Sequence, residues 1–340
     1  MLKKYVYFLL VVVFIFILTG CSGSKQKLYI FNWSYYIPDE VIENFEKDFN
    51  VDVVYDVFSS NEEMFAKLKS GGTGYDIVFP SGDYASIMIN LGMVEPIDLN
   101  NIPNYKYLDK SVLQKITFDT QSNYSIPYMM GGTGIAVNTK YVKNYEKDWN
   151  IFLDENLKNK MTLLDDMREV FGIALKQLGY SVNTKNTDEL NEAKDLIMKW
   201  KKNILKFDAE SFAKGFAAEE FYVVHGYAEN IFLELEDKSN VDFFMPEIGG
   251  PMYVDTMMIL KGSKNKELAE KFINYIHDPK VYAQIVDYLG LPSINTEARN
   301  LRTTVPYYTI DDLKNSEFKE DLGDFLSVYN KLWQEIRVEN

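Results

Sequence analysis

The sequence predicts an α/β protein of two lobes, each a mainly parallel sheet flanked by helices, with hinge crossings of the chain between them. Three observations point there. From Lys27 onward, short β-type runs alternate with helical apolar periods, the pattern of a parallel sheet covered on both faces. A chain of 340 residues with 46% hydrophobic content can bury more core than one compact unit holds. Two glycine-bearing extended stretches, "YSIPYMMGGTGIAVNTK" at 124–140 and "GGPMYVDTMMIL" at 249–260, interrupt the alternation and are expected to carry the chain out and back.

Taken in order, residues 1–20 stand apart. Lys3 and Lys4 precede an apolar run from Tyr5 to Leu18 that is shorter than the roughly 20 residues a bilayer span needs, so it reads as a signal peptide. The run ends in "LTGC", which resembles a bacterial lipobox with Cys21 as the lipidated residue. Cys21 is the only cysteine, so no disulfide forms within the chain. Residues 21–26 are then a polar tether.

Strand Leu28–Trp33, helix Asp39–Phe49, strand Val51–Phe58, helix Glu62–Lys69 and strand Tyr75–Phe79 follow. In such a sheet, ligands sit beyond the carboxyl ends of strands, where Trp33 and Ser81 fall. After the first crossing come strand Met161–Leu164, helices Met167–Leu178 and Asp188–Lys201, and strands Phe221–Val224 and Val241–Phe244. After the second come helices Glu267–Tyr275 and Pro279–Tyr288, then a long amphipathic helix over Glu317–Ile336. The expected division is lobe one at 27–132 and 255–303, and lobe two at 133–254 and 304–340.

The net formal charge of −14 argues against nucleic acid and suits a cationic partner. Nucleotide-loop and Gly-x-Ser-x-Gly signatures are absent, and with His225 and His277 as the only histidines no zinc site or other metal is expected. No cofactor is implied and no enzyme activity is expected. A secreted glycoside hydrolase using two carboxylates stays open on residue types alone, as does a surface adhesin with a vestigial cleft.

The informative carboxylates are those in unusual places. Asp255 sits inside the apolar run "MYVDTMMIL", where an unpaired carboxylate costs several kcal/mol, and strand alternation points it to the same face as Tyr253. Asp166 and Glu169 open a helix in "LLDDMREVFGIAL", where capping would also explain them. Ser81 and Asp83 follow a strand in "VFPSGDYAS", with helix capping again the alternative for Asp83. With the rings Trp33, Tyr35 and Tyr36 of "FNWSYYIP", these residues outline a cleft with aromatic walls and acids, suited to a primary ammonium on a hydrocarbon stem. The acids of separate lobes are expected to converge with no protein cation to neutralise them.

At these residues the chain resembles the spermidine/putrescine-type periplasmic binding proteins, the substrate-binding components of ABC polyamine importers. "LYIFNWSYYIP", "NEEMFAKLKSG", "YDIVFPS", "YSIPYMMGGTGIAVN", "LLDDMREVFGIALKQLGYS", "GGPMYVDTMMI" and "GLPSIN" carry the resemblance over nearly all of the mature chain. It implies a two-lobed periplasmic binding protein fold that captures a polyamine, spermidine or putrescine, and delivers it to ABC permease subunits. The implied protein is extracytoplasmic, lipid-anchored through Cys21 and monomeric; the alternative ligand is another cationic or zwitterionic amine. Matching site positions are Trp33, Ser34, Tyr36, Ser81, Asp166, Glu169 and Asp255, with Tyr253 in place of tryptophan and Gln334 matched to a glutamine that reaches an amine. Tyr35 replaces an acid and Asp83 replaces a tyrosine, an exchange expected to conserve charge across two facing positions. The family's tryptophan near 224–227 has no clear counterpart, and a later tyrosine is Leu291.

Overall fold

The computed structural model describes residues 25–34, 36–72 and 74–338. The leader, Cys21 and Tyr35 lie outside the described residues.

The first half of the chain builds β1 (Gln26–Trp33), α1 (Asp39–Phe49), β2 (Val51–Phe58), α2 (Asn61–Lys69), β3 (Ile77–Val78), α3 (Gly82–Asn90), α4 (Lys110–Leu113), β4 (Ser125–Gly132) and β5 (Gly134–Asn138). Local chemistry sets these bounds. α1 carries Asp39 and Glu40 in its first turn and Lys47 in its last, matching the helix dipole, and Asn50 closes it in a left-handed conformation at φ 52°. The Ser60 side chain caps α2 by accepting from the Glu63 N–H.

The second half contributes β6 (Met161–Leu163), α5 (Met167–Gln177), α6 (Thr187–Lys201), β7 (Lys206–Phe207), α7 (Phe212–Ala217), β8 (Val223–Gly226), α8 (Ala228–Glu234) and β9 (Val241–Phe244). The chain then forms β10 (Pro251–Ile259), α9 (Lys266–Ile276), α10 (Pro279–Leu289), β11 (Glu317–Phe318) and α11 (Leu326–Val338).

Two sheets result. One has the order β11-β10-β3-β1-β2 with β4 also on β10, and the other runs β7-β6-β8-β5-β9. In the first, β1 pairs parallel with β2 and β3, while the long strand β10 runs antiparallel to β3 and β4. In the second, β6 is parallel to β7 and β8, and β5 is antiparallel to β8 and β9. Antiparallel pairing enters both sheets through the crossing strands, because a chain that returns between lobes reverses its direction. The crossing expected at 132/133 falls at Thr133, which alone separates β4 and β5 of different sheets, whereas the boundary expected at 254/255 cuts β10, whose pairings from Pro251 onward are all within the first sheet.

Each sheet has its own apolar core. Leu28, Ile30, Phe45, Phe272 and Ile285 belong to the first, and Ile135, Phe152, Phe171, Trp200 and Trp333 to the second.

One predicted element is corrected. Residues 317–336 are not a single helix: Glu317 and Phe318 pair in parallel with Pro251 and Met252, and α11 starts only at Leu326. Gly323 at φ 56° breaks the segment between them. The apolar periodicity that suggested one helix belongs to the part from Leu326 onward.

Candidate functional site

Asp255 anchors the cleft. It lies on β10 where the register slips between Asp255 and Thr256, an irregularity that turns the carboxylate toward Ser81 at the start of α3. The carboxylate is buried and accepts two short hydrogen bonds, 2.7 Å from the Tyr36 hydroxyl and 2.6 Å from Ser81 Oγ. Ser81 sits at the N-cap position of α3 yet caps nothing, because its oxygen accepts from Asn61 Nδ2 at 3.1 Å. Tyr36 is fixed in turn through its carbonyl, which accepts from the Tyr128 hydroxyl at 2.5 Å. Burial pushes the Asp255 carboxyl up to about 6, against the pull of Ser81 and Tyr36.

A second acidic group comes from α5. Asp166 caps that helix, Oδ1 accepting from the Glu169 N–H at 3.0 Å, so the capping role anticipated for it is real. Glu169 is 1% exposed and points inward. Its Oε2 accepts from the Thr133 hydroxyl at 2.8 Å, and Thr133 Oγ1 lies 2.8 Å from His225 Nε2. Since the hydroxyl proton goes to Glu169, the imidazole donates from Nε2. Burial holds His225 down to about 3, so the ring is neutral.

Glu169 is not waiting for a guest. Lys319, just past β11, places its ammonium 2.5 Å from Glu169 Oε1, in a pair whose side chains are 13% and 1% exposed. The expectation that these acids meet no protein cation is therefore corrected for Glu169. Burial would lower the Lys319 ammonium, but Glu169, Asp166 and Asp83 overcome this and hold it above its ordinary value. Burial raises the Asp83 carboxyl, with Lys319 and Arg168 opposing. Asp83 is the second residue of α3 rather than its cap.

A further acid, Glu229, was not singled out in the sequence. Glu229, in the first turn of α8, accepts from the Tyr253 hydroxyl at 3.3 Å through Oε1, while Oε2 is buried with no hydrogen-bond partner among the described residues. Burial pushes its carboxyl up to about 7. Tyr253 and Tyr227 meet edge to face, centroids 6.0 Å apart, so Tyr227 supplies an aromatic ring in the stretch where the family comparison left none. Burial first, then the negative charge of Glu169, Asp166, Glu229 and Asp255, push the Tyr227 phenol well up. Gly131 makes room for Tyr253: a Cβ there would lie 2.4 Å from its hydroxyl oxygen.

No hydrogen bond among the described residues joins the other anticipated residues to this group. Trp33 is partly buried, its indole N–H donating to the Phe79 carbonyl at 2.9 Å and its ring tilted on Phe58. Ser34 is exposed. Gln334 is exposed on α11, one turn before Arg337, which pairs with Asp165 beside Asp166. Leu291 is fully buried in the first core. Ser81, Asp83, Lys115, Tyr253, Lys319 and Glu320 are among the residues that line a pocket of about 300 Å³ beside β10 and β11 of the first sheet. Among the described residues, no group of His, Cys, Asp and Glu could hold a metal, and no helix is long and apolar enough to cross a membrane.

Two α/β lobes joined by crossing strands, with buried acids and tyrosines linked from one to the other by Tyr253 to Glu229 and by Lys319 to Glu169, define a solute-binding protein. The chain belongs to the bacterial extracellular solute-binding protein family, whose model matches residues 40–311. It is 33% identical over 325 residues to the spermidine/putrescine-binding periplasmic protein of Escherichia coli K12, covering 93% of each chain. Among solved structures, it resembles the TpPotD lipoprotein of Treponema pallidum, with TM-score 0.90, 45% identity, and 92% of this chain and 99% of that one covered. The PotD substrate-binding protein of a spermidine/putrescine ABC transporter from Streptococcus pneumoniae aligns with TM-score 0.84 and 29% identity over 92% of this chain and 98% of that one.

Proposed function

We propose that this protein is an extracytoplasmic, lipid-anchored receptor that captures a polyamine between its lobes and delivers it to an ABC permease, catalysing no reaction. The observation that carries this reading is a pair of buried carboxylates from the two lobes that no described cation neutralises: Asp255, held by Tyr36 and Ser81, and Glu229, which accepts from Tyr253 and leaves Oε2 without a partner among the described residues. An alkyl diamine meets it at both levels: ammonium groups pair with the acids, and methylenes lie on the tyrosine rings, each buried methylene contributing about 0.8 kcal/mol. The names of the relatives support the same ligand class. In this reading Trp33, Ser34, Tyr35, Tyr36, Ser81, Asp83, Tyr253 and Gln334 complete the walls, and Cys21 carries the lipid.

The test is titration calorimetry of the leaderless protein, unfolded and refolded to strip bound solute, against putrescine, spermidine, a choline-like compound and a zwitterionic amino acid. Saturable one-to-one binding of a polyamine, tighter than of the other two, is expected. Binding of only the choline-like or zwitterionic compound would move the assignment to that class.

A further inference from the structure

Lys319 neither packs the core nor lies in solvent. Its backbone is held in place: β11 pairs with Pro251 and Met252, and the Lys319 N–H donates to the Met252 carbonyl at 3.1 Å. One residue pair upstream, Glu317 is tied by Lys176 Nζ at 2.9 Å and Ser181 Oγ at 2.6 Å. From this mount the side chain lines the pocket with Ser81, Asp83 and Tyr253, and its ammonium crosses to Glu169 on α5. Its four methylenes and primary ammonium are chemically one end of a polyamine.

We propose that Lys319 is a built-in ammonium occupying one amine place of the pocket, so that the site selects a diamine over a longer triamine. This rests on the polyamine reading above and specifies it. A ligand nitrogen that displaced Lys319 from Glu169 would leave a buried ammonium without its partner, a strongly unfavourable exchange. The incoming solute therefore pairs with other acids. Asp255 and Glu229 are candidates, because neither is in an ion pair with any described residue. With one anionic end already neutralised, an additional ligand nitrogen finds a positive charge where a longer amine would need a negative one.

The experiment is competitive calorimetry of putrescine and spermidine on the wild type and on Lys319→Met, Lys319→Gln and Lys319→Arg. Methionine keeps most of the apolar stem without charge; glutamine keeps a donor for Glu169 if methionine compromises folding. Wild type is expected to bind putrescine more tightly than spermidine. Lys319→Met and Lys319→Gln should raise the affinity for spermidine relative to putrescine at least ten-fold, and Lys319→Arg should keep the ratio within three-fold of wild type. Ligand-free Lys319→Met should melt lower than wild type and recover more with spermidine than with putrescine. An unchanged ratio in both neutral variants, or the same change in Lys319→Arg, overturns the role of the ammonium while leaving polyamine capture intact. Failure of every variant and the wild type to bind either amine overturns both.

Discussion

Ser81 and Asp255, 174 residues apart in sequence, are joined by a 2.6 Å hydrogen bond that links the start of α3 to the bulge of β10. The serine stands where helices usually place a capping side chain, and it serves the carboxylate instead. Together with Tyr36 it orients an acid that the fold has removed from water.

Asp255→Asn is expected to weaken polyamine binding at least ten-fold, about 1.4 kcal/mol, in calorimetry. Ser81→Ala should cost less, on the order of 1 kcal/mol, because Tyr36 still holds Oδ2. Unchanged affinity in Asp255→Asn would remove this carboxylate from ligand binding.

Binding should depend on pH with a defined sign. Asp255 at about 6 and Glu229 at about 7 lie above their ordinary values of 3.8 and 4.5. The folded protein thus holds these protons more tightly than the unfolded chain, so the ligand-free protein gains stability from both groups as pH falls from about 7 to about 5. A cationic ligand needs them charged, so its affinity should drop at least about ten-fold over the same interval. Melting curves with and without putrescine at both pH values would show the ligand's stabilising shift shrinking in acid. A shift that is constant with pH would mean that neither acid faces the ligand.

Thr133→Val should break the chain from His225 to Glu169. The glutamate loses its Oε2 donor and the imidazole loses its only hydrogen-bond partner among the described residues. A destabilisation of about 1–3 kcal/mol in urea unfolding is expected. Thr133→Ser keeps the hydroxyl and should recover most of it.

Gly131→Ala places a methyl group 2.4 Å from the Tyr253 hydroxyl and 2.6 Å from that of Tyr308. Overpacking of this kind costs about 1–3 kcal/mol. The displaced Tyr253 should also weaken ligand binding, which separates this variant from a core mutation that only lowers stability.

The helices and the β1–β3 unit were legible because each carries its own signal: apolar periodicity, acids in first turns, and a left-handed closing residue in α1. Asp255 stood out for a similar reason, since a carboxylate in an apolar strand needs partners, and the structure supplies Tyr36 and Ser81. Glu229 gave no comparable signal, because an acid in a helix's first turn is ordinary. Lys319 was hidden by the reading of 317–336 as one helix, on which a lysine faces solvent. The glycine at 323 was the available sign of a break.

What the sequence determined by itself is the two-lobed α/β architecture, because alternation of strand and helix periods along the chain constrains how layers can form. It also determined that acids and rings would be placed at strand and helix ends. Which acid meets which donor, and that a lysine mounted on the short strand β11 already holds Glu169, was decided only by tertiary structure. The physical reason is range: periodicity and capping act over a few residues, whereas the pairing of Glu169 with Lys319 joins positions 150 residues apart through a sheet that neither segment encodes alone.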